Sequence, residues 1–107
     1  MYILVVKISE LYYIVYMVKY IDDVLKRIKK GQIPKDVFLH FNNAFASLDL
    51  TKDLTLFDIK QLKTSEEKER IYYRLRKNKF RAIFYIEDAD IFVIAIDKRE
   101  EVYKKWQ

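Results

Sequence analysis

The 107-residue sequence predicts an α+β fold: a two-helix antiparallel hairpin packed on a twisted, mainly antiparallel sheet of four or more strands. Three observations predict it. Two amphipathic stretches flank the single glycine, Gly31, and the single proline, Pro34. Three runs rich in β-branched and aromatic residues then follow one another between Tyr72 and Asp97, separated by short polar turns. A further run rich in Tyr, Ile and Val precedes the helices.

Residues 1–21 are strongly apolar, but Lys7, Glu10 and Lys19 interrupt them. No clean span of about 18 apolar residues remains to cross a membrane. No small-residue cleavage site of a secretory signal follows. The preferred reading is a strand over Leu11–Tyr20, with residues 1–10 as an extra strand or extension. The alternative is a strand over 2–8 and one long helix over 10–30. Periodicity does not choose between them, because nearly every position is apolar.

Ile21, Val24, Leu25 and Ile28 recur at one helical face. Asp22 and Asp23 sit in the first turn and Lys26, Arg27, Lys29 and Lys30 in the last, as the helix dipole favours. Gly31 follows as a C-terminal cap, and Pro34 opens the second helix. The apolar face of that helix is Val37, Phe38, Phe41, Ala44, Phe45 and Leu48. Thr51 to Arg70 is mixed: Leu54, Leu56, Ile59 and Leu62 are placed under the sheet, and Thr64–Arg70 is a polar loop. Strands are expected at about 71–76, 80–87 and 90–97, with turns at Lys77–Lys79 and Glu87–Asp90, and a short closing helix over Glu100–Trp106. There is no repeat and no low-complexity linker, so residues 1–107 read as one domain.

Composition narrows the chemistry. There is no cysteine and one histidine, His40, so neither a disulfide nor a thiolate metal site is available and no metal or cofactor is expected. His40, between Leu39 and Phe41, reads as a helix-surface or internally satisfied residue, with an acid/base or phosphate contact as the sharper alternative. One glycine rules out a P-loop or a dinucleotide fingerprint. A net charge of +5 and a pI near 9.3 fit either a solvated basic surface or an anionic or acidic partner.

The sharper signal is arginine inside strands, where burial is costly without a partner. Alternation places Tyr72, Arg74 and Arg76 on one face of their strand, and Arg81, Ile83 and Tyr85 on one face of the next. Pairing across the 77–79 turn brings Arg81 near Arg74 or Arg76, and Arg99 follows the last strand. Guanidinium groups so placed either hold an anion, for which phosphate is the natural complement, or pair with Glu87, Asp88, Asp90 or Asp97. Spacing leaves both open.

The segment Tyr73-Arg74-Leu75-Arg76, Phe80-Arg81-Ala82-Ile83-Phe84, Ile86-Glu87-Asp88, Ile91–Ile96 and Lys98-Arg99-Glu100-Glu101-Val102-Tyr103 resembles the RelE/ParE superfamily of toxins from type II toxin–antitoxin modules. Phe57–Lys63 and the helical hairpin look like the family's upstream part. The resemblance implies a cytoplasmic, ribosome-dependent, metal-independent mRNA endoribonuclease that inhibits translation and is neutralised by a cognate antitoxin. It implies no membrane partner. It assigns Arg74, Arg81, Arg99 and Tyr103 to catalysis and Arg76, Lys77, Lys79 and Lys98 to RNA binding. Two further functions fit the same resemblance: a ParE-like, non-catalytic inhibitor of DNA gyrase, and a RelE-fold binding module without activity. The chain departs from the family at Tyr72, where a strand lysine is usual, at Asp97 or Lys98, where many relatives carry histidine, and in the glycine-free turn Lys77-Asn78-Lys79. Proton transfer then falls to Tyr103 or to one of Lys77, Lys79 and Lys98. A group with a pKa near 10 is a poor base at neutral pH unless neighbouring cations lower it.

Overall fold

The computed structural model describes the backbone of residues 2–8, 11–62 and 70–106, and the side chains from Val18 onward apart from those of 103, 105 and 106. Strands β1 (Tyr2–Ile8) and β2 (Leu11–Tyr20) form an antiparallel pair. Helices α1 (Asp22–Lys29) and α2 (Lys35–Thr51) follow, then β3 (Ile59–Gln61), β4 (Tyr73–Lys77), β5 (Phe80–Glu87), β6 (Asp90–Lys98) and α3 (Arg99–Trp106). The strands form one six-stranded sheet in the order β1-β2-β6-β5-β4-β3. All neighbours are antiparallel except β2 and β6, which pair in parallel through Val18–Tyr20 and Ile91–Val93.

The long-helix reading of residues 10–30 is thereby overturned. Leu11–Tyr20 is rich in Tyr and Val, which suit a pleated surface, and Val18 and Tyr20 bury their side chains fully once the strand pairs with β6. The helix begins only at Asp22, after Ile21 has donated its N–H to the Val93 carbonyl.

Gly31 takes φ +74° just beyond the last residue of α1, and its N–H and that of Gln32 close onto the carbonyls of Ile28 and Arg27. This satisfies carbonyls that the ending helix leaves open. Pro34 is the residue capping α2 rather than its first helical residue, one position from the expectation. Both helices pack on one face of the sheet. Val24 from α1 and Phe38, Phe41, Phe45 and Leu48 from α2 join Val18, Tyr20, Leu75, Ala82, Phe84, Ile91, Val93 and Ile96 in one core cluster. Phe45 meets Phe84 edge-on at 5.1 Å between ring centres, and Tyr20 meets Phe38 at 5.2 Å.

A bulge decides the alternation of β6. Ile83 pairs with Ala95 and Phe84 with Val93, so Ile94 is the extra residue. Val93 and Ile96 both reach the core for this reason, while Phe92, Ala95 and Asp97 turn to the opposite face with Tyr85, Ile83 and Arg81. The turns dispense with glycine at some cost: Asn78, Asp88 and Ala89 all take positive φ. Adjacent positive φ values at Asp88 and Ala89 give a two-residue hairpin of the kind that twists with its strands.

The mixed stretch after α2 contains β3, three residues that extend the sheet beside β4. So short a strand carries no detectable alternation. Leu54, Phe57 and Ile59 pack against the core, but Leu56 is 52% exposed, contrary to its expected place under the sheet. The polar loop expected from Thr64 lies outside the described residues as far as Glu69. No helix among the described residues is long and apolar enough to cross a membrane.

Candidate functional site

The hairpin register sets Arg81 directly opposite Arg76, and Ile83 opposite Arg74. The three arginines therefore share the sheet face that the α1–α2 layer leaves uncovered. Asp58, in the turn before β3, takes Arg74 at 3.0 Å and Arg76 at 2.7 Å. The Arg76 N–H also donates to the Asp58 carbonyl. Arg81 lies next to Arg76, as the short turn predicts, and Arg74 and Arg76 are both paired with Asp58. One carboxylate absorbs both cations, and it arrives from a segment distant in sequence, where spacing arguments have no reach.

Three of the four acidic residues considered as partners for the strand arginines are engaged by other cations. Asp97 pairs with Arg27, Asp90 with Lys19, and Glu87 with Arg70. Arg70 also lies 4.1 Å from the ring centre of Tyr85, which stacks on Phe92 at 4.8 Å.

Arg81 is 5% exposed, one of two buried polar or charged residues in the described chain. Its Nη1 donates to the carbonyls of Asn78 at 2.8 Å and Phe80 at 2.9 Å. These bonds offset part of the cost of burying a guanidinium and pin it to the glycine-free turn. The same turn is tied to the start of α3, because the Arg99 N–H donates to the Lys79 carbonyl at 2.9 Å. Lys98 pairs opposite Phe80 at the end of β6. Asn78, Lys79, Arg81, Lys98, Arg99 and Glu100 consequently line one open pocket of about 610 Å³. Among the described residues of its lining, four are cations and one is a carboxylate.

The site residues expected from sequence thus divide. Arg81, Arg99, Lys79 and Lys98 come together. Arg74 and Arg76 are held by Asp58. Lys77 pairs with Phe80 and shares the alternation of Leu75, so its strand position is on the helix-covered side. Tyr103 lies in α3, one turn beyond Arg99, and its side chain is outside the described residues. His40 is exposed on α2, as expected of a surface residue. Among the described residues no group of three or more His, Cys, Asp or Glu side chains could hold a metal.

The sequence matches no family model and no curated protein. Solved structures do match. A chain of the RelB–RelE antitoxin–toxin complex from Methanococcus jannaschii aligns with a TM-score of 0.61 at 18% identity, over 83% of this chain and 99% of that one. A chain of the archaeal RelE–RelB complex from Pyrococcus horikoshii OT3 aligns with a TM-score of 0.55 at 24% identity, over 78% and 94%. The helical hairpin, the parallel β2–β6 pairing and the antiparallel remainder of the sheet are the scaffold that carries the pocket, and this chain has a RelE-like fold.

Proposed function

We propose that the chain is the toxin of a toxin–antitoxin pair, held in check by a cognate antitoxin, and that it acts in the cytoplasm as an endoribonuclease on mRNA at the ribosome. The observation that carries the reading is the pocket of Lys79, Arg81, Lys98 and Arg99 on a RelE-like fold. Residues 1–107 are read as a single toxin domain.

RNA cleavage through the 2′-hydroxyl needs a base for its proton, cations for the charge that grows on the phosphorane, and an acid for the leaving 5′-oxygen. Arg81 suits charge stabilisation, since its guanidinium is already oriented by two carbonyls. Arg99 suits binding of the phosphate, and exposed Lys79 and Lys98 suit the flanking backbone. Tyr103, or one of the lysines, takes the proton-transfer role. In this reading Arg74 acts only once Asp58 releases it.

That last point favours a second reading, a RelE-fold binding module without activity. The ion pairs of Arg74 and Arg76 with Asp58 would then be permanent.

Primer extension on mRNA in translating extracts separates the readings. Loss of one preorganised donor to a developing oxyanion costs on the order of 3 kcal/mol, or about a hundredfold in rate. Arg81→Ala should therefore abolish cleavage and growth arrest while antitoxin binding persists. Lys29→Ala, at the exposed end of α1, should change little. Absence of cleavage by the wild type, with Arg81→Ala indistinguishable from it in cells, would leave the binding-module reading. Absence of cleavage together with DNA damage in cells would point to gyrase.

A further inference from the structure

Most of the β1–β2 pair runs out beyond the rest of the sheet. Val18 is the first residue of β2 to meet β6, opposite Ile91, and β6 itself begins at Asp90. Residues 11–17 therefore extend past the start of β6, towards and beyond the β5–β6 turn. On β1, Tyr2 and Ile3 pair with Tyr20 and Lys19. The register then jumps, and Leu4 to Ile8 pair with Val15 back to Leu11. Residues 16–18 are the excess on β2, and a bulge of this kind bends the outer ladder relative to the inner one. Among the described residues, β2 is the one element that β1 packs along. The outer ladder is thus a two-stranded arm, and β1 is at once its free edge and an edge of the whole sheet.

An isolated two-stranded hairpin is marginal in water, and a third strand is what usually makes such a ribbon stable. The composition of this arm makes solvation costly. From Leu4 to Ile8 and from Leu11 to Val15, every residue except Lys7 is aliphatic or aromatic. The register gives Leu4, Val6 and Ile8 one face together with Val15, Tyr13 and Leu11, so the pattern is apolar on both faces instead of alternating with polar residues. Edge strands that stay single are short, or carry proline or several charges. Strand β1 has seven residues, no proline and one charge. Its outer row of backbone N–H and C=O groups is a template for a further strand.

Charge decides what supplies that strand. Residues 2–17 carry one cation, Lys7, and one anion, Glu10, so the whole net charge of +5 lies on the remainder of the chain. An acidic partner is drawn to that remainder and not to the arm. Two copies of the chain repel one another everywhere else and can approach at the neutral arm. We propose that the arm is a self-association surface, with β1 of one copy pairing antiparallel, edge to edge, with β1 of a second copy about a two-fold axis at Val5. In this register Val5 faces its own counterpart, Leu4 lies opposite Val6, Ile3 opposite Lys7 and Tyr2 opposite Ile8. The two Lys7 positions stand about 14 Å apart along the ladder, beyond the screening length of about 8 Å at physiological salt. Each arm gains the strands it lacks, and two six-stranded sheets become continuous. The inference is independent of the toxin reading and of the pocket at the other end of the sheet.

The test is sedimentation velocity of the full chain over a range of concentrations, joined to a cross-link. Wild type should form a reversible dimer of about twice 13.1 kDa. Val5→Lys sets two ammonium groups opposite each other and should raise the dissociation constant about tenfold or more. Val5→Glu should do the same, and an equimolar mixture of the two variants should associate again, because opposite charges then meet across the axis. The chain has no cysteine, so Val5→Cys adds a single thiol. Antiparallel partners have Cα atoms about 4.5–5.5 Å apart, within reach of a disulfide. Mild oxidation should join Val5→Cys into a covalent dimer, while Lys104→Cys, exposed on α3, stays single. If the charged variants fail to fold, Val5→Cys decides, since it is small and apolar. A wild type that is monomeric into the millimolar range overturns the proposal, as does Val5→Cys that cross-links no faster than Lys104→Cys. A dimer indifferent to Val5→Lys, or a mixture that does not reassociate, places the contact elsewhere and overturns it too. A chain that stays single in solution but sediments with phosphatidylcholine vesicles gives the arm to a membrane surface and refutes self-association.

Discussion

Tyr20 and Asn42 form a hydrogen bond inside the core, and its removal should be felt in a defined way. The phenol donates to Asn42 Oδ1 at 2.7 Å, with Tyr20 fully buried and Asn42 3% exposed. Tyr20→Phe leaves the ring packing on Phe38 but strands the amide oxygen, at a cost of about 1–2 kcal/mol. Asn42→Ala strands a buried hydroxyl and leaves a small void, at about 2–3 kcal/mol. The double variant strands neither partner against the other, so the two costs should fall short of adding by about 1–2 kcal/mol. For a domain of this size 1 kcal/mol corresponds to about 4 °C in melting temperature. Urea unfolding of the four proteins gives the cycle. Burial also pushes the Tyr20 phenol well above its ordinary value. The folded chain then holds this proton more tightly than the unfolded chain. The advantage of wild type over Tyr20→Phe should be constant below pH about 10, where both states are protonated. Above that it should shrink by about 1.4 kcal/mol per pH unit, because only the unfolded state releases the proton. Additive single variants, or alkaline limbs that coincide for wild type and Tyr20→Phe, would refute the reasoning.

Two further outcomes follow from the turn and the ion pairs. Ala89 carries φ +69° on an exposed hairpin, so Ala89→Gly should stabilise the chain by about 1 kcal/mol, read as a higher urea midpoint at unchanged slope. Asp58→Asn should release Arg74 and Arg76 at a stability cost within about 1 kcal/mol, since its carboxylate is nearly half exposed. The same change should tighten binding to single-stranded RNA and steepen its salt dependence, measured by fluorescence anisotropy. Unchanged affinity would show that these two arginines take no part in binding a polyanion.

Much of this molecule is legible from residue order. Gly31 and Pro34 mark the break between helices because each has few other places to go. The alternation of Tyr73-Arg74-Leu75-Arg76 and Arg81-Ala82-Ile83 assigns faces correctly, because the side-chain period of a strand is local. Strand β3 escapes detection because three residues hold less than two periods. The choice between strand and helix over Leu11–Tyr20 also lies beyond the sequence. Its apolar residues fit either period, and the parallel partner that settles it, Ile91–Val93, comes some seventy residues later.

The pocket divides along the same line. The clustering of Lys79, Arg81, Lys98 and Arg99 comes from short-range events, a two-residue turn and a strand that runs straight into a helix, and these are written in the sequence. Which carboxylate each arginine meets is not. Asp58 reaches Arg74 and Arg76, and Arg27 reaches Asp97, only because strands and helices remote in the chain are laid side by side. Local order therefore determined the elements, their faces and the gathering of charge at one end of the sheet. Tertiary packing alone decided the pairing of those charges, because Coulomb attraction depends on separation in space and is indifferent to separation along the chain.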